Sequence, residues 1–141
     1  MFRESYTAQE WRTLQFAPHW VFTAVASIDG GPNEKKVAAF VKEVSEWAQF
    51  KEPLVQEVLL SIFFDVVNVL EQYNADSRDL VDGLKDVADL LDRKATPDQA
   101  KHFKGSMLLI GRHVAEASGG SDASAKGMLA VAIIAKTLRA I

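Results

Sequence analysis

Leu54-Val55-Gln56-Glu57-Val58-Leu59-Leu60-Ser61-Ile62-Phe63-Phe64-Asp65-Val66-Val67-Asn68-Val69-Leu70 is the most apolar run of the chain. Wound as a helix and carried on to Tyr73, it is apolar around nearly its whole circumference. Only a narrow polar seam remains, made of Glu57, Ser61, Asp65 and Asn68 at spacings of four, four and three. A helix of this kind belongs at the centre of a bundle, enclosed by the others. The run is shorter than a bilayer span and carries two carboxylates, so it reads as a core helix and not as a membrane helix.

The flanks of this run break into further helices. Pro53 suits a first helical turn. Upstream, Thr7-Ala8-Gln9-Glu10 has the form of a capping box that opens a first helix. Pro18 either kinks that helix or starts a second segment, and His19 to Ile28 is almost continuously apolar. Asp29-Gly30-Gly31-Pro32 must stop it, since two glycines permit positive φ and a proline cannot continue a helix. Asn33 then caps an amphipathic helix that carries Val37, Phe40, Val41, Val44, Trp47 and Ala48 and ends near Phe50.

Downstream, Ser77 is read as the cap of a helix with Leu80, Leu84, Val87 and Leu91 on one face and Asp79, Asp82, Asp86 and Asp89 on the other. Thr96-Pro97 caps and starts the next, from Pro97 to about Ala117, with Phe103, Met107, Ile110 and Val114 on one side. Ser118-Gly119-Gly120-Ser121-Asp122 breaks it. A last helix, from about Ala123 to Arg139, uses Met128, Leu129, Ile133, Ile134 and Leu138. No stretch alternates with period two for long enough to make a strand. The expectation is an all-α, single-domain bundle over residues 1–141, with six to seven helices around the central apolar one.

Bulk composition narrows the function classes. The net charge of −3 offers no basic footprint for nucleic acid or for an anionic membrane surface. The absence of cysteine removes disulfides, thiolate metal sites and cysteine nucleophiles. Met1-Phe2-Arg3-Glu4-Ser5 does not lead into a signal sequence, which fits a cytoplasmic location.

The two glycine corners align. Laying Ala26 to Asn33 over Ala115 to Asp122 superposes the Gly-Gly pairs, and Phe40 then falls over Leu129 and Val44 over Ile133. An internal helix–loop–helix duplication and two unrelated glycine-joined hairpins both account for this.

Trp20-Val21-Phe22-Thr23-Ala24-Val25-Ala26-Ser27-Ile28-Asp29-Gly30, followed by Asn33-Glu34 at the next helix start, resembles the TerB-like tellurite-resistance proteins. The resemblance implies a compact helical fold of the bacterial cytoplasm. It also implies a link to tellurite or other chemical stress, membrane-linked partner proteins, and a metal held by acidic residues near such corners. Asp29 and Glu34 match that acidic pattern. Ser118 stands at the acidic position of the second corner, so any such site is expected at the first corner alone.

On the residues themselves, Asp29 and Glu34 suit a hard cation such as Ca²⁺ or Mg²⁺, or equally a helix cap in which Glu34 meets the dipole and Asp29 bonds loop amides. The spacing is not that of an EF-hand. His102 and His113 share a helix face and, with His19, would make a nitrogen-rich site, although neither His at i, i+4 nor Glu-x-x-His occurs. Asp65 is expected to be exposed, paired with a base such as Lys101 or Arg112, or part of a ligand site. The Asp79 to Asp89 stripe reads as a solvated face, or as a docking surface for a basic partner. Trp11, Trp20 and Trp47 read as core or interface. Three functions follow: a non-enzymatic TerB-like protein that binds a protein partner, with or without a divalent metal; an enzyme in which Asp65, His102 or His113 converge; and an oligomerising module, a homodimer being its simplest form.

Overall fold

The computed structural model describes residues 1–28, 30–117 and 121–140, with the side chains of 121–124 outside that description. Seven α-helices and no strand occur among the described residues: α1 (Ala8–Ile28), α2 (Glu34–Ser45), α3 (Pro53–Phe63), α4 (Val66–Ala75), α5 (Leu80–Lys94), α6 (Pro97–Glu116) and α7 (Ser121–Thr137). Single 3₁₀ turns lie at Phe2–Ser5 and Trp47–Gln49. The bundle is the all-α one expected.

The central element is α1. Its start is the capping box: Thr7 N–H donates to Glu10 Oε1 at 2.8 Å, and Glu10 N–H donates to Thr7 Oγ1 at 3.1 Å. The helix runs unbroken through Pro18. It buries Leu14, Phe16, Trp20, Val21 and Val25 and packs on α3, α4, α5, α6 and α7.

The Leu54–Tyr73 run does not take the central place, and it is not one helix. α3 ends at Phe63, α4 starts at Val66, and the two meet at 93°. The Asp65 carbonyl accepts the first α4 bond, from Val69 N–H at 2.9 Å. The physical reason is coverage. A helix apolar all round needs neighbours all round, and this chain supplies them only along Leu54, Val55, Val58, Leu59 and Ile62. Beyond the bend, Val69 alone of α4 is fully buried, while Phe63, Phe64, Val66, Val67 and Leu70 are exposed. Among the described residues no single helix is long and apolar enough to cross a membrane.

Two smaller expectations also shift. Asp79, not Ser77, caps α5, its side chain accepting from Asp82 N–H at 2.8 Å. Asp76 is committed instead to the backbone and guanidinium of Arg78. α2 stops at Ser45, and the 3₁₀ turn carries the chain to Phe50. A third is refined: the acidic stripe is exposed as expected, and two of its members are also paired, Asp86 with Arg78 at 3.0 Å and Asp89 with Arg139 at 2.8 Å. Trp11 and Trp20 are buried, and Trp47 packs against the core.

The two aligned hairpins pack differently. α6 and α7 lie directly on each other, so close that a Cβ on Gly127 would overlap Ala115. α1 and α2 meet through large rings instead, with Phe40 against His19 at 5.3 Å and Phe22 at 5.2 Å between centroids. The second corner, Ser118-Gly119-Gly120, lies outside the described residues.

Candidate functional site

α2 sits in the fold with its expected polarity turned. Of its apolar stripe only Val44 is buried, while Val37 and Val41 face solvent. Turned inward are Lys36, 1% exposed, and Glu43. The uncovered side of α2 adjoins α4, so Val37, Val41, Phe63, Val66 and Leu70 line one apolar face; Phe64, 76% exposed, stacks on Phe63, and Val67 is exposed beside Val66 in the chain. Scattered exposed apolar residues need no explanation, but a contiguous face does.

Within this face, between α1, α2 and α4, is a half-open cavity of about 350 Å³. Its walls are Phe22, Val37, Phe40, Val41, Val66 and Leu70, and its polar groups come from His19, Thr23, Tyr73 and Asn74. The size falls in the range of small-molecule pockets. α1 positions His19 and Thr23 one turn apart, and Tyr73 closes over them from α4.

His19 is 5% exposed and makes a hydrogen bond of 2.9 Å between Nδ1 and the Gln15 carbonyl. A carbonyl only accepts, so Nδ1 carries the proton. Burial pushes the imidazole pKa down to about 4, with the Gln15 bond opposing, so the ring is neutral near pH 7. Rings of Phe16, Phe40 and Tyr73 surround it. Thr23 Oγ1 donates to the His19 carbonyl at 2.9 Å, so the 2.8 Å bond between Thr23 and Tyr73 is donated by the tyrosine. Burial, chiefly, raises the Tyr73 phenol above its ordinary value. His19 was a sequence candidate only as a companion of His102 and His113, which it does not meet, and Tyr73 was not a candidate, because nothing in sequence brings it to His19; the unusual density of aromatic residues in 16–22 was the available signal.

The other sequence candidates do not come together. His113 on α6 is hydrogen-bonded to Glu43 on α2, in a separate groove of about 460 Å³ that also holds Glu46 and Glu116. His102 is exposed, with Nδ1 on the Asp98 carbonyl at 2.7 Å. Asp65 is exposed, accepts from Asn68 at 3.0 Å, and meets neither Lys101 nor Arg112. Of the former seam, Glu57 accepts the backbone amides of Phe2 and Arg3, and Ser61 accepts from Gln15. Asp65, His102 and His113 share no cavity.

At the first corner, Gly30 has φ +83° and Gly31 φ +94°, and Gly31 N–H donates back to the Ala26 carbonyl at 2.6 Å. This six-to-one bond closes α1 in the Schellman manner. Asn33 caps α2, its side chain accepting from Lys36 N–H at 2.9 Å. Glu34 is exposed in the first turn of α2, and Asp29 lies outside the described residues. Lys36 Nζ donates to the Gly31 carbonyl at 2.7 Å. A resident ammonium therefore bonds one carbonyl of the corner, while Asp29, half of the expected acidic pair, is not among the described residues. Among the described residues no group of three or more His, Asp or Glu is placed to hold a metal ion. Lys36 was missed in sequence because a lysine in a first helical turn normally points to water.

No family model matches the chain, and no solved structure does. The chain is similar to "Uncharacterized protein ORF11'" of Methanothermobacter thermautotrophicus, with 29% identity over 123 residues that span 86% of this chain and 82% of that protein.

Proposed function

We propose that the chain is a non-enzymatic, TerB-like helical adaptor of a tellurite or other chemical stress response, and that it works by docking a protein partner on the α2–α4 face. The observation that carries this reading is the apolar stripe left uncovered on α2 and continued by Phe63, Phe64, Val66, Val67 and Leu70. These side chains expose on the order of 600 Å², the upper end of what a monomer ordinarily shows. Paired with itself, the face would bury roughly 1,200 Å², the lower limit of a stable interface and well short of an obligate homodimer. The occupant is therefore a different protein that presents an apolar helix and binds transiently. The reading rests on docking and does not require a divalent metal at Asp29 and Glu34.

The test is complementation of a deletion strain challenged with tellurite. The wild-type chain restores tolerance, and Phe64→Asp/Val67→Asp fails to, with the purified variant melting within about 0.5 kcal/mol of wild type, as surface substitutions do. Full rescue by that variant overturns the docking surface. A deletion strain as tolerant as its parent overturns the stress role. Sedimentation of a stable dimer, abolished by the same variant, replaces the foreign partner with a second copy.

A further inference from the structure

The cavity within the α2–α4 face holds a polar atom with no protein partner. His19 Nδ1 is satisfied by Gln15, which leaves Nε2 as a lone-pair acceptor, and no described residue donates to it. The imidazole lies between α1, α2 and α4, against Phe40 and Tyr73, and lines the pocket there. A buried acceptor without a donor is costly, and such orphans in native structures call for a donor from elsewhere. The remaining polar groups narrow what that donor belongs to. The Tyr73 hydroxyl proton has two acceptors within the protein, Thr23 Oγ1 at 2.8 Å and the His19 carbonyl at 3.4 Å, so its oxygen also offers the cavity only lone pairs. No lysine or arginine lines the space, so nothing there would neutralise an anion. Asn74, the one amide in the lining, is exposed to solvent, and the other walls are aliphatic and aromatic.

We propose that this cavity binds a small uncharged apolar molecule carrying a hydroxyl, an aliphatic or aromatic alcohol, whose O–H donates to His19 Nε2. About 350 Å³ accommodates on the order of ten non-hydrogen atoms, at the roughly 30 Å³ that a water occupies in the liquid. The apolar body lies along Phe22, Phe40 and Leu70, and the hydroxyl sits at the α1 floor. The pocket shares Val37, Val41, Val66 and Leu70 with the proposed docking face, but Phe64 and Val67, the positions that test docking, do not line it, so the two readings fail separately.

The experiment is titration of the full chain, followed by amide and imidazole ¹⁵N NMR, with 4-propylphenol and with its methyl ether, 4-propylanisole. Expected are saturable shifts at residues 19, 22, 40 and 70, a shift of the His19 Nε2 resonance with the phenol only, and at least tenfold weaker binding of the ether. His19→Phe should erase the preference for the phenol. Leu70→Trp, a change at a half-exposed position, fills the space and should abolish binding of both probes without unfolding the chain. Equal affinity for phenol and ether overturns the hydroxyl assignment. Unchanged binding in Leu70→Trp overturns the location. No saturable shift from either probe at millimolar concentration overturns the site, leaving the cavity as part of the docking face.

Discussion

The indole of Trp20 lies directly on the α5 backbone at Gly83, where an added Cβ would overlap Cε2, Cζ2 and Cδ2 of the ring. The guanidinium of Arg78 stacks over the same indole at 4.9 Å, and Phe16 meets it edge-on at 5.6 Å. This contact sets how closely α5 approaches α1.

Gly83→Ala should therefore destabilise the chain. Overpacking of a well-filled core costs about 1–3 kcal/mol, against about 1 kcal/mol gained from helix propensity. A net loss of up to about 2 kcal/mol in urea denaturation is expected, with a shift in Trp20 fluorescence. Gly105→Ala in α6, where the new Cβ meets nothing within 4 Å, should instead stabilise by about 0.5–1 kcal/mol.

Stability should fall as pH drops from neutral toward 5. His19 has a folded pKa of about 4, below its unfolded value near 6.5, so the unfolded state takes up the proton first. Its contribution is intact above pH 6.5 and is lost progressively down to about 4. Between pH 7 and 5 the loss should be about 2 kcal/mol, read as the difference between wild type and His19→Gln in denaturant midpoints. The depressed carboxyls add their own losses at lower pH: Glu10, held at about 2 by Lys94 first of all, and Asp76, held down by Arg78.

A second buried cation ties α5, α6 and the C-terminal turn. Lys104, 6% exposed, donates to Asp92 at 2.8 Å, and Arg139 donates to Asp92 at 2.9 Å and to Asp89 at 2.8 Å. Lys104, then Arg139, holds the Asp92 carboxyl below its ordinary value. Asp92→Asn should cost about 2 kcal/mol at pH 7, because it leaves a buried ammonium short of its counter-ion. Arg139 has φ +58°, a left-handed conformation that ends α7. Arg139→Gly should thus be about 1 kcal/mol more stable than Arg139→Ala, since both lose the ion pairs but only glycine escapes the strain.

At the first corner, calorimetric titration with Ca²⁺ or Mg²⁺ should show no saturable heat in the wild-type chain. A one-site isotherm that disappears in Asp29→Ala would overturn the assignment of Lys36 as the corner's cation. Lys36→Met should cost about 1–3 kcal/mol, because the Gly31 carbonyl loses the ammonium that bonds it.

Much of the helix layout was legible because it depends on local chemistry. Thr7 with Glu10, Asn33, Pro53 and Thr96-Pro97 all start helices where their backbone preferences put them. What failed depended on supply and competition. Apolar periodicity from Leu54 to Leu70 records which residues prefer to leave water, not whether neighbours exist to cover them. Ser77 and Asp79 both suit a cap, and Asp79 wins two residues later. The pairing of Lys36 with Gly31, and of His19 with Tyr73, arises only from tertiary packing. The candidate cavity was therefore invisible in sequence, while its uncovered wall was visible but read as core.

The right-angle bend after Phe63 divides one unbroken apolar segment between two tasks that selection can act on separately. Substitutions from Leu54 to Ile62 should abolish soluble expression, and those from Phe63 to Val67 should leave a well-folded chain that has lost recognition. A saturation screen scored for both abundance and tolerance would find the boundary between these phenotypes inside a single hydrophobic run, at the turn through Phe64 and Asp65.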